Sequence, residues 1–197
     1  MFDIFGISAA ARSENHVSSL TFPPSRMTND DARVVVTQIQ DQRGAGAVII
    51  FAWDSKIKTA TIVREYMPGC HKVLGGLAAG IIETCPDKHD SDELLAARHE
   101  LEEECHLAGG TWHRLTDDSI TVPMDKYVQT RITPYLVIDP VICEDPRELD
   151  AEEEIEIVRG VRADEILDMV RGGDMNLVGA WASLLALQKL RELGEVE

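Results

Sequence analysis

Residues Leu94–Leu107 read LLAARHELEEECHL, and this stretch decides the fold. A helical repeat of 3.6 residues separates Glu100, Glu103 and Glu104 by steps of three and four, so their carboxylates project from neighbouring positions on one face. Leu94, Ala97, Leu101 and Cys105 follow the same steps on an adjoining face. The stretch therefore predicts a helix with an apolar seam to bury and an acid cluster beside it. Glu102 falls roughly opposite the cluster and reads as a solvated charge. Three like charges this close repel by roughly a few tenths of a kcal/mol per pair at a surface, and more where solvent is excluded, so a counter-charge is expected. A glutamate-rich helix face is most often solvated surface, and only the flanking sequence gives this one another meaning.

The chain has 197 residues, 44% hydrophobic and 27% charged, enough for one globular domain with an appendage. Its formal charge of −16 argues against a nucleic-acid backbone or an anionic membrane as partner, because both recruit clustered Lys and Arg. An anionic ligand would need local basic residues or a bound cation. No run of about 18 apolar residues is present, so a soluble, cytoplasmic protein is expected. The N-terminal MFDIFGISAAARSENHVSSL carries Asp3 ahead of its apolar patch and no basic flank, which argues against a secretory signal. Arg12 and the Ser/Ala content leave organelle targeting open. Cys70, Cys85, Cys105 and Cys143 are widely spaced with no CxxC pair, so reduced thiols are expected in place of a zinc site or a disulfide framework.

In chain order, residues 1–43 read as an N-terminal arm with one strand, Ala32–Gln40, and residues 44–197 as the main domain. Asp41–Gly46 is a turn, and Ala47–Trp53 and Thr59–Arg64 are strands joined by Asp54–Lys58. Met67–His89, punctuated by Gly69, Gly75, Gly76 and Gly80, reads as a loop-rich passage. After the acidic helix come a polar stretch around Trp112, a strand at Arg131–Ile138, an acidic run Glu144–Glu156 and a strand at Ile155–Val161. Two helices close the chain. Ala163–Val170 stops at Gly172-Gly173, and Leu177–Leu193 places Leu177, Trp181, Leu184, Leu185, Leu187 and Leu190 on a broad apolar face that ends at Gly194. This order of elements predicts an α+β sandwich, a sheet flanked by helices.

LAAGIIE (77–83) followed by LLAARHELEEECHL resembles the signature box of the Nudix hydrolases, G-x5-E-x7-R-E-U-x-E-E-x-G-U with U apolar. The flanks are most similar to the ADP-ribose and ADP-sugar pyrophosphatase branch. TATIVREYMPG (59–69) is similar to that branch's strand and QYR-like turn, and EEEIEIVRGVRADEILDMVRGGDM (152–175) to its acidic loop, strand and short helix. Within the box, Glu100, Leu101, Glu103, Glu104 and Leu107 match, whereas His99 stands where the family has Arg and His106 where it has Gly. Counting back from His99 puts the family's early Glu on Ser91 and leaves Gly80 five residues too far upstream, so residues 84–91 (TCPDKHDS) read as an insertion.

The resemblance implies a Nudix-type α/β/α sandwich with a mixed central sheet. It implies Mg²⁺, with Mn²⁺ as a substitute, held by Glu100, Glu103 and Glu104 and by a backbone carbonyl at Ala79, with Gly80 beside it as a substrate contact. Hard oxygen ligands of this kind neutralise and orient a diphosphate and acidify a water. Glu83, Asp90, Asp92 or Glu93 could supply the missing carboxylate. Glu93 is slightly preferred, because seven residues before Glu100 is two helical turns along the same face. The general base is expected in Asp150–Glu154, at Glu153 and then Glu152, with Arg64 and Tyr66 contacting phosphate and nucleotide. His99 and His106 read as structural, since a carboxylate site for a hard cation has no need of imidazole. The implied activity is hydrolysis of a nucleoside diphosphate derivative such as ADP-ribose or an ADP-sugar to AMP and a sugar phosphate by a homodimer, with the arm as dimerisation element. The alternative is a Nudix-fold module that binds a nucleotide or a protein with little or no turnover.

Overall fold

Strand formation follows the β-branched and aromatic runs of the chain. The computed structural model describes residues 17–20, 36–39, 46–82, 92–124, 130–149 and 154–196. In the arm, β1 (Val17–Leu20) and β2 (Val36–Ile39) pair antiparallel as a two-stranded sheet, one strand more than expected. The main domain continues with β3 (Gly46–Asp54), β4 (Thr59–Met67), β5 (Lys72–Gly76) and β6 (Ala78–Ile81), then α1 (Glu93–Cys105). There follow β7 (Leu107–Ala108), β8 (Thr111–Arg114), β9 (Val122–Pro123), β10 (Arg131–Ile138), β11 (Val141–Ile142) and β12 (Ile155–Arg162). Helices α2 (Ala163–Gly172) and α3 (Leu177–Glu192) end the chain. Among the described residues no helix is long and apolar enough to cross a membrane.

The central sheet runs β12-β4-β3-β10-β8, with β5 added to β4, β6 to β3 and β9 to β10. Strands β3 and β10 are parallel and the other pairs antiparallel, so the sheet is mixed. Both central strands are buried along six consecutive residues, Val48–Trp53 and Ile132–Val137, as a strand covered on both faces requires. Alternation then assigns each residue a side. Ile49, Phe51, Trp53 and Ile62 pack in one core with Ile166 of α2 and Ala182, Ala186, Leu187 and Leu190 of α3. Val48, Ile50, Ala52 and Val63 pack in the other with Ala96, Ala97, Leu101 and Cys105 of α1. The result is the expected α/β/α sandwich with a mixed central sheet.

Three expectations about elements change. The loop-rich passage Met67–His89 contains β5 and β6, whose glycines serve close approach: a Cβ on Gly75 would stand 2.3 Å from Met169 Cε, and one on Gly76 2.8 Å from Asn176 Nδ2. The polar stretch around Trp112 is strand β8, with Trp112 edge-on to Tyr135 at 5.9 Å between ring centroids. On α3, Leu177 is 82% exposed and Leu184 also faces outward, so the buried stripe is built from Gly179, Ala182, Ser183, Ala186, Leu187 and Leu190. Small residues there let the helix lie close to the large side chains of the sheet.

Candidate active site on the acidic helix

Helix α1 begins at Asp92, whose carboxylate accepts the Leu95 N–H at 2.9 Å, and Glu93 adds negative charge where the helix dipole favours it. Its last turn holds no basic residue. Instead Arg159 of β12 donates to the Cys105 carbonyl at 2.8 Å, covering one of the open carbonyls at the helix end. His106 follows in the left-handed conformation (φ 52°, ψ 43°), its N–H bonded to the Glu102 carbonyl at 3.0 Å. This is the position where the Nudix box has Gly, and the structure gives the physical reason for that preference.

Between these ends the apolar seam presses Ala96, Ala97 and Leu101 onto the sheet and carries Glu100 and Glu104 to β6. Glu104 is only 5% exposed, and its Oε2 accepts the Ala79 N–H at 3.0 Å. The Glu100 carboxylate occupies the space where residue 80 would carry a side chain, since a Cβ on Gly80 would come within 2.0 Å of Oε1. Ala79 and Gly80, both singled out in the sequence, are thus in contact with two of the three box glutamates. A cavity of about 80 Å³ opens beside Glu104, lined by Glu65, Leu74, Ala79 and Asn176 among others. The neighbouring Cys105 thiol is pushed up to about 12 by burial and then by the charge of Glu104, with Arg159 opposing, so it stays protonated at neutral pH and is no nucleophile.

The other acids point elsewhere. Glu103 accepts from Arg147 Nε at 2.5 Å, and Glu93 pairs with Arg114, which also donates to the Ile120 carbonyl at 2.9 Å. Among the described residues, no three His, Cys, Asp or Glu side chains are grouped so as to hold a metal ion. Arg64 and Tyr66 lie on the opposite side of β4 from Val63 and Glu65. Arg64 pairs with Glu156 at 3.3 Å and lines an open groove of about 570 Å³ against α2, while Tyr66 shares a hydrogen bond with His71 Nδ1 at 3.3 Å. The structure therefore does not bring these two to the carboxylates. Glu152, Glu153, Glu83, Asp90 and the insertion 84–91 lie outside the described residues.

Arg147 and Arg114 went unidentified in the sequence. The repulsion within the cluster called for a counter-charge, but the cations that answer lie 44 residues from Glu103 and 21 from Glu93, beyond any helical periodicity.

No protein-family model matches the sequence, and neither does any curated protein. The fold is similar to that in a crystal structure of an ADP compounds hydrolase, with a TM-score of 0.62 at 19% identity, covering 91% of this chain and 95% of that one.

Proposed function

We propose that this chain is a Mg²⁺-dependent pyrophosphohydrolase that cleaves the diphosphate linkage of a nucleoside diphosphate derivative, such as ADP-ribose or an ADP-sugar, to AMP and a sugar phosphate. The observation that carries this is the seating of Glu100 and Glu104 against Ala79 and Gly80 of β6, where two glutamates of the box-like helix meet the backbone of the glycine strand before it. The ADP compounds hydrolase of similar fold supports the choice of substrate class.

The proposed donors are hard oxygens of the kind the metal takes, although among the described residues they are not grouped around one point. Carboxylates of Glu100, Glu103 and Glu104 and a peptide oxygen at Ala79 are hard ligands suited to Mg²⁺, with Mn²⁺ as a substitute, and the cradle at Gly80 leaves a carboxylate room that any side chain would take. Bound there, the cation would screen the diphosphate charge and lower the pKa of a water. Glu153, or next Glu152, would take the proton from the attacking water. The water oxygen bonds to one phosphorus as the bridging oxygen leaves with the other, so each product carries a phosphate. Arg64 and Tyr66, on the other face of β4, would reach only the far end of an extended substrate. Residues 1–43 would serve a homodimer, and the cytoplasm remains the proposed location.

The test is incubation of the full chain with ADP-ribose with and without Mg²⁺, following AMP by chromatography. Product that requires Mg²⁺ in the parent and is lost in Glu104→Gln supports the proposal; no product above the metal-free blank sinks it. Two observations favour the second reading, a binding module with little turnover: His99 stands at the box arginine, and Glu103 is engaged by Arg147. Calorimetric binding of ADP-ribose without hydrolysis would select it.

A further inference from the structure

The geometry points to a binding site for a small organic carboxylate on the α1 face of the sheet, built around Arg159 and separate from the chemistry proposed for Glu100 and Glu104. A β-bulge creates it. Val158 pairs with Ile62 and Val161 with Ala60, so Arg159 and Gly160 together stand opposite the single residue Thr61. Gly160 takes the left-handed conformation (φ 78°) at little steric cost. Thr61 shares the α1 face with Val63 and Ala52, and Arg159 projects to that face, where its guanidinium donates to the Cys105 carbonyl. Beside it a cavity of about 140 Å³ opens, lined by Thr59, Thr61 and Arg159 together with Leu107, Pro140 and Ile142.

Charge and shape together define the occupant. In a chain with 35 acidic and 19 basic residues, Arg64, Arg114 and Arg147 are each taken by a glutamate. Among the described residues Arg159 pairs with no carboxylate, and its bond to the Cys105 carbonyl uses one of five N–H donors. The hydroxyls of Thr59 and Thr61 have no hydrogen-bond partner among the described residues either. Asp54, the acid on the wall, has its Oδ1 held by the Lys56 and Ile57 N–H groups at 2.8 and 3.2 Å. A guanidinium fork beside two hydroxyls matches a planar carboxylate. The walls ask for an apolar body, since Ile57 and Ile142 flank the cavity at 64% and 68% exposure. Its volume is close to the roughly 150 Å³ that accommodates one benzene, so a single ring or a short aliphatic chain fits and a nucleotide does not.

Benzoate is the probe, titrated into the full chain and followed by amide shifts in ¹H–¹⁵N spectra. It should bind with a roughly millimolar dissociation constant and shift the Thr59, Thr61, Leu107 and Gly160 amides. Arg159→Gln keeps an N–H for the Cys105 carbonyl and should weaken binding about ten-fold or more. Benzyl alcohol, which has the same ring without the charge, should show a similar loss. Ile142→Glu changes an exposed position, so it tests the site even if Arg159→Gln fails to fold, and its carboxylate should weaken benzoate binding several-fold by repulsion. Shifts that map elsewhere, or that persist at the parent's affinity in both variants, would overturn the site. So would the absence of shifts at tens of millimolar benzoate. Inorganic phosphate binding as tightly as benzoate would overturn the ligand class, because the apolar walls would then contribute nothing.

Discussion

On the α2/α3 side of the sheet the strands contribute large side chains, Phe51 stacked on Trp53 at 6.3 Å with Ile62 and Leu136, and the helices contribute Ile166, Leu187 and Leu190. On the α1 side Val48, Ile50 and Val63 of the strands meet Leu101 of the helix, with alanines at Ala52 and Ala78 and, on the helix, at Ala96 and Ala97. The difference decides what each face can do. Helix α3 also approaches on small residues, Ala182 and Ala186, but meets large strand side chains and stabilises the fold through area. Helix α1 in addition lays carboxylates against a strand's backbone, Glu104 at the Ala79 N–H and Glu100 at Gly80. On the proposed function one face is a foundation and the other a working surface, and substitutions should separate stability from activity along that line.

The largest effect is expected from Glu104→Gln. The amide still offers an oxygen to the Ala79 N–H, so the fold should be kept, while loss of the charge should lower Mg²⁺-dependent turnover by about a hundred-fold or more. Glu103→Gln should behave alike. Melting temperatures without metal should be unchanged or slightly raised, since like charges have been removed. Turnover within a few-fold of the parent in both variants would remove the working surface from the comparison. Next comes Leu187→Ala on the opposite face, which should cost about 2–5 kcal/mol of stability in denaturant titrations and leave turnover per folded molecule unchanged. A parallel fall in turnover at temperatures where the variant is folded would show that the two faces are not separable.

Gly80→Ala is the finer test, because it asks for activity loss with little cost in stability. The new methyl would overlap the Glu100 carboxylate, the far end of a flexible side chain that can swing aside. Turnover should fall about ten- to a hundred-fold from misplacement of one carboxylate, with the denaturation midpoint nearly constant. A large stability loss with normal turnover would mean that Gly80 serves the strand and not the acid.

How much of this was legible in the sequence follows the range of the forces involved. The helix, expected at Leu94–Leu107 and found at Glu93–Cys105, and the strands β3, β4, β10 and β12 were readable because periodicity and β-branching are local signals. Strands β5 and β6 were missed because Gly75, Gly76 and Gly80 look like turn residues until the groups crowding them, Met169, Asn176 and Glu100, are in view. The mixed sheet and the two helical layers followed from the Nudix resemblance, not from pattern alone. At the site, the juxtaposition of Glu104 with Ala79 was foreshadowed by the box. The arginines that engage Glu103 and Glu93 were not, since an ion pair between distant segments leaves no spacing to read. Arg64 and Tyr66 show the same limit: their place next to the box in sequence says nothing of strand face, and alternation along β4 turns both away from the Glu104 cavity, with Arg64 towards α2.

The smallest effect concerns the end of the working helix. His106 adopts a left-handed conformation that costs a residue with a Cβ about 1 kcal/mol more than glycine, and its backbone N–H closes α1 on the Glu102 carbonyl. His106→Gly removes that strain but gives the unfolded chain more freedom, which takes back part of the gain. The net expectation is a stabilisation of about 0.5–1 kcal/mol, read as a rise of roughly 1–4 °C in melting temperature for a protein of this size. His106→Asn, which tolerates the left-handed region, should fall between the two. Turnover should not change in either, because Glu104 is fixed by the Ala79 N–H and by the buried seam, not by the residue that ends the helix. A lower melting temperature in His106→Gly would show that the half-buried imidazole contributes more through packing than its backbone loses through strain. The departure from the box at this position would then be a local substitute for glycine, and the α1 face would owe part of its stability to a side chain outside its alanine seam.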